Sequence, residues 1–115
     1  MKTFTDLNEA LANPSIVEVL QLRGGDLRKL PKEIDKLTSL VELDVSDNRL
    51  IELPLELGNL KKLVWLNVGE NLLKTVPKEL GELTQLKWMS IADNNLTISK
   101  KERVEKLLPN CQVNF

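Results

Sequence analysis

The chain has no histidine and no tyrosine, one cysteine, two phenylalanines and two tryptophans. Without histidine, no Ser–His or Cys–His pair can activate a nucleophile. No zinc-ligand cluster, calcium-loop spacing or phosphate-cradling glycine-rich loop occurs, and Gly24-Gly25 on its own reads as a turn. The lone thiol, Cys111, allows no internal disulfide, which suits a reducing compartment. Net charge is −1 and the pI about 5.5, so nothing in the overall balance favours nucleic acid or an anionic membrane. No apolar run is long enough to span a bilayer, and MKTFTDLNEALANP does not read as a secretory signal. The expectation is one cytoplasmic domain over residues 1–115, with no cofactor, no metal and no catalysis. The acceptor-like Asn95-Leu96-Thr97 carries no weight without a secretion signal.

What the chain has in abundance is leucine at a fixed interval. The stretch Leu37 to Asn59, LTSLVELDVSDNRLIELPLELGN, recurs at a shift of 23. Leu43 becomes Leu66 and then Met89; Val45 becomes Val68 and then Ile91. Asn48 becomes Asn71 and then Asn94; Leu50 becomes Leu73 and then Leu96. Shifted backwards, Val17, Leu20, Leu22 and Leu27 fall into the same places, with Gly24-Gly25 standing where Asp47-Asn48 stands later. A period in this range predicts a solenoid, in which each unit buries its apolar side against its neighbours.

The pattern LxxLxxLxVxxNxLxxLPxxLGxL resembles the leucine-rich repeat in its 23-residue form, over residues 17–98 in four units. Variants with LPxxIG or LPxxLG occur in bacterial, Ras-associated and scaffold proteins. The resemblance implies an α/β fold: a short right-handed horseshoe with a parallel sheet on its concave side. It says little about function, because one fold serves many. Catalytic members carry their chemistry in an additional domain.

Side chains alternate between the two faces of a strand. Val41, Leu43 and Val45 are therefore expected inside, as are Val64, Leu66, Val68, Met89 and Ile91. Lys87 shares that parity but sits at the strand's start, where its ammonium reaches water. Asn48, Asn71 and Asn94 are expected to form a ladder, each amide serving backbone groups of adjacent turns. Pro31, Pro54 and Pro77 suit the return segments, and Gly58 and Gly81 a tight turn before the next unit. Both ends read as caps. Over residues 3–16, Thr3 and Asp6 suggest the start of a helix with Phe4, Leu7 and Leu11 on one face, stopped at Asn13-Pro14. Over 99–115, Ser99 and Glu102 suggest a capping box, and Val104, Leu107 and Leu108 an apolar face. Cys111, Val113 and Phe115 share the inner parity of a last strand. Lys100, Lys101, Arg103 and Lys106 read as the solvated face of that helix.

The solvent face of the sheet is the candidate site. Its first column is Val19, Glu42, Trp65 and Trp88; its second is Gln21, Asp44, Asn67 and Ser90; its third is Arg23, Ser46, Gly69 and Ala92. The turn beyond adds Asp47, Glu70 and Asp93. Both tryptophans fall at equivalent places on adjacent units, about 5 Å apart, among carboxylates. That points to a protein or peptide with basic residues as partner. The alternative is a structural or self-associating protein whose tryptophans meet in a homodimer, or simply lie flat and shield the sheet. Five strands at about 4.8 Å make a small patch, so a partner is a short segment or also grips the turns near Asp47, Arg49, Leu72 and Asn95.

Overall fold

The computed structural model describes all residues, Met1–Phe115. Its framework is one parallel sheet of six short strands in sequence order: β1 (Thr3–Phe4), β2 (Val19–Gln21), β3 (Glu42–Asp44), β4 (Trp65–Asn67), β5 (Trp88–Ser90) and β6 (Gln112–Asn114). From β2 to β5, residues 23 apart are register partners: Val19 with Glu42, Glu42 with Trp65, Trp65 with Trp88. From β2 to β5, each strand is left through a bend and the next is reached through a return segment on the convex side. Those segments are short 3-10 helices, Lys32–Lys36, Leu55–Asn59 and Lys78–Glu82. Each is preceded by an extended proline, Pro31, Pro54 or Pro77, with φ between −71° and −67°. Proline fits there because its fixed φ matches and no ladder bond is lost.

Between the sheet and the convex helices lies one apolar core. Leu43, Val45, Leu50, Leu57, Leu60, Leu63, Leu66, Val68, Leu73 and Leu80 are all fully buried. Repeat positions thus contribute nearly all of it, as expected for a stack in which each unit covers the next. Val41 and Val64, at the strand entries, are only half-buried, and Lys87 is exposed.

The asparagine ladder is present. Each amide nitrogen donates to three carbonyls, one of them in the preceding unit: Asn48 to Leu22, Val45 and Ser46; Asn71 to Val45, Val68 and Gly69; Asn94 to Val68, Ile91 and Ala92. Each Oδ1 accepts from a backbone N–H of the preceding unit, Leu27, Leu50 or Leu73. Val45 and Val68 each serve two asparagines, so the ladder is continuous. Just before each asparagine the chain turns left-handed, at Asp47 (φ 54°), Glu70 (φ 53°) and Asp93 (φ 56°). In the first unit Gly24 takes that conformation at φ 75°, where glycine is least strained.

Several expectations need correction. The N-terminal cap is not a continuous helix from Thr3. Thr3 and Phe4 pair with Val19 and Leu20 as a sixth strand, because an edge left open at β2 offers ladder partners. Helix α1 then runs Leu7–Ala12, with Asp6 as N-cap accepting from Glu9 N at 2.8 Å, and a 3-10 turn follows over Pro14–Ile16. Phe4, Leu7 and Leu11 do pack against the core. At the other end, α2 spans Ile98–Leu107 and is capped by Thr97 instead of Ser99, Thr97 Oγ1 accepting from Lys100 N at 3.2 Å. Neither Gly58 nor Gly81 is in a left-handed turn; crowding requires glycine at 58 and makes 81 a tight site. A Cβ on Gly58 would lie 2.4 Å from the Glu79 carbonyl oxygen, and one on Gly81 3.3 Å from that of Leu107. No strand stacks beyond β6, so Cys111 and Val113 are only half-buried and Phe115 is exposed.

Candidate functional site

The register places the first outward column in a single row: Thr3, Val19, Glu42, Trp65, Trp88, Gln112. Glu42 and both tryptophans are half-exposed. Val19, expected at the surface, is 5% exposed, its short side chain lying between Thr3 and Glu42. The two indoles are stacked, with centroids 4.9 Å apart and planes inclined by 14°. That spacing matches the distance between neighbouring strands. Rings so close and so nearly parallel overlap face against face with an offset. They therefore stand up from the sheet as a ridge and do not lie flat over it. One face of each ring is spent on the other. The remaining faces lie along the row, that of Trp65 on the side of β3 and that of Trp88 on the side of β6.

The second column is tied inward. Asp44 Oδ1 accepts from Ser46 N at 3.0 Å and from Ser46 Oγ at 2.6 Å. Asn67 Oδ1 accepts from Gly69 N at 2.9 Å. Ser90 is buried, and its Oγ accepts from Asn114 Nδ2 at 3.2 Å. These side chains hold the ends of their own strands, as short polar groups do when they bond backbone two residues on. Asp44 and Asn67 thus retain only part of their capacity for a partner.

The third column is low. Ser46 and Gly69 are buried, Ala92 is half-buried and Arg23 exposed. Beyond it, Asp47, Glu70 and Asp93 are exposed on successive turns, whose backbones are joined by Asp47 N to Gly69 O (3.0 Å) and Glu70 N to Ala92 O (2.8 Å). The structure therefore gathers Glu42, Trp65, Trp88 and the three turn carboxylates around one shallow lane. Arg23 stands at the end of that lane nearest the first unit. Gln112 and Asn114 belong to the same face and escaped sequence reasoning. Gln112 follows Trp88 by 24 residues, one off the period, so extrapolating the columns by 23 misses it.

Other chemistry-bearing groups are placed elsewhere. No group of three or more acidic or cysteine side chains is arranged to hold a metal ion. Cys111 is half-buried beside the core, and burial raises its thiol above the ordinary range, which disfavours the reactive thiolate. In the basic cluster, Arg103 is engaged: its Nη1 donates to Thr75 Oγ1 and to the Val76 carbonyl. No helix is long and apolar enough to cross a membrane.

A stack of parallel strands, 3-10 return turns and an asparagine ladder define a repeat solenoid with one open sheet face. Residues 11–109 match the family model described as a leucine-rich repeat region, and the chain belongs to the leucine-rich repeat family. A solved leucine-rich repeat protein of Leptospira interrogans is 40% identical, with a TM-score of 0.91, over 96% of this chain and 28% of that one. An internalin of Listeria monocytogenes superimposes with a TM-score of 0.79 at 22% identity, over 98% of this chain and 32% of the internalin. This second likeness is one of fold alone. The chain spans less than a third of either protein. Among curated proteins none matches the sequence.

Proposed function

We propose that this chain is a non-enzymatic protein-interaction module that takes a short protein segment on the open face of its sheet. The observation that carries the reading is the standing stack of Trp65 and Trp88. Large aromatic groups are rarely left half-exposed side by side unless a partner or a packing need uses them, and such pairs dominate binding energy when a partner covers them. The charge around the lane is mostly of one sign, from Glu42, Asp44, Asp47, Glu70 and Asp93, against Arg23, Arg49 and, at the strand entry beside Trp88, Lys87. A basic segment is favoured by that field, and its approach is steered by it. Stable interfaces bury about 800 Å² per partner, more than this lane offers, so the partner also reaches the turns near Arg49, Leu72 and Asn95.

The test is capture of proteins from the source cell on immobilised wild type and on Trp65→Ala/Trp88→Ala. Loss of specific proteins from the double variant is the expected outcome. Equal retention by both would overturn the assignment to this face. Sedimentation at several concentrations separates the rival: a dimer abolished by the same variant would make the tryptophans a self-association contact.

A further inference from the structure

The two ends of the tryptophan stack are chemically different, and that difference points to one kind of side chain. At one end the register neighbour of Trp88 is Gln112, which is neutral; at the other the register neighbour of Trp65 is Glu42. Beyond Glu42 the row continues to Val19, which is short and almost fully covered. The ridge of two rings therefore ends at position 42, where the next residue of the row is a half-exposed glutamate. Asp44, one column over, is fixed on Ser46, so Glu42 is the carboxylate in line with the rings.

We propose that this end of the ridge receives an arginine of the partner segment, its guanidinium stacked on Trp65 as a third plate and its N–H groups donating to Glu42. The proposal rests on the function proposed above and names the partner's chemistry. A flat cation on an indole gains from the ring's negative face, and tryptophan is the best ring for it. Guanidinium fits better than ammonium because it is planar, more weakly hydrated and offers forked donors to a carboxylate. The low lane of Ser46, Gly69 and Ala92 leaves room beside the ridge for the extended main chain that carries the arginine. Asp47, Glu70 and Asp93 on its far side hold further positive charge nearby.

The chain has two tryptophans and no tyrosine, so its intrinsic fluorescence reports on this ridge alone. Three blocked peptides serve as probes, Gly-Arg-Gly-Arg-Gly and the same sequence with lysine or with neutral citrulline. The arginine peptide should shift the emission saturably and bind about fivefold more tightly than the lysine peptide. Citrulline should bind more weakly than either charged peptide. Glu42→Gln should erase most of the arginine preference while leaving the melting temperature and the unliganded spectrum unchanged. Gln112→Ala, at the other end of the stack, should leave it intact. Equal affinity for arginine and lysine, no saturable shift, or an unchanged preference in Glu42→Gln would each overturn the proposal. If Glu42→Gln still captures the cellular proteins that the double tryptophan variant loses, the arginine site falls and the binding face stands.

Discussion

Asn71 is 5% exposed, and its side chain makes four hydrogen bonds to backbone groups, two of them in the preceding unit. Alanine there strands the Leu50 N–H and removes a donor from three carbonyls. The expected cost is about 1–3 kcal/mol, the usual penalty for leaving buried polar groups unpaired. Asn94 makes the same bonds but is only half-buried, so water replaces part of what alanine removes. Urea titration should rank Asn71→Ala below Asn94→Ala in stability; equal, negligible losses would contradict the ladder's structural role. Aspartate at 71 matches in shape but cannot donate, so it should be no better than alanine. The ladder was legible in the sequence because one amide recurred where the apolar pattern required a bend. The glycines were less legible. Gly58 is needed because of where the Glu79 carbonyl lies, a neighbour in another unit, and nothing local to Gly58 announces it.

At the scale of elements, the repeated strands and their faces followed from alternation, while the two ends followed less well. Thr3 and Phe4 carry residues that suit a helix start or a strand equally, and the open ladder of β2 decides between them. Thr97 and Ser99 can both cap a helix, and α2 begins at the earlier one. The conformation of the return segments was not legible either, since prolines fit an extended segment and the entry to a 3-10 helix alike. The C-terminal helix is attached to the preceding unit by Arg103, which reaches Thr75 and the carbonyl of the buried Val76. Arg103→Met keeps the aliphatic stem and removes only those bonds. The expected loss is about 1–2 kcal/mol, within the range for a buried carbonyl left without its donor. Because the contact is local to the cap, amide hydrogen exchange should speed up in Ile98–Leu107 and stay unchanged in β3. Uniform acceleration through the sheet would mean that the cap does not open separately.

For the whole molecule, the inward half of each unit repeats while the outward half does not. Leu43, Leu66 and Met89 share one role, but Glu42, Trp65 and Trp88 do not, nor do Asp44, Asn67 and Ser90. The inner half of this division could be read from sequence because packing imposes the same demand on every unit. The outer half shows which residues stand on the open face without saying what they meet, since solvent imposes no comparable demand. The division also makes a strong structural prediction. Stability in a solenoid comes from each unit and its contacts with its neighbours, so removing a whole register unit should shorten the stack without destroying it. Deleting residues 46–68 joins Val45 to Gly69, and every later residue keeps its face because register partners are 23 apart. Deleting residues 46–67 leaves one residue more and joins Val45 to Val68 inside the bend, which sets the left-handed residue and the ladder asparagine one place too far from their strand. Both deletions remove Trp65, so they differ only in register. The first should melt cooperatively at a lower temperature than the intact chain and keep its far-ultraviolet strand signal. The second should melt at a lower temperature than the first. Similar melting of the two would mean that the register is not what holds the stack together.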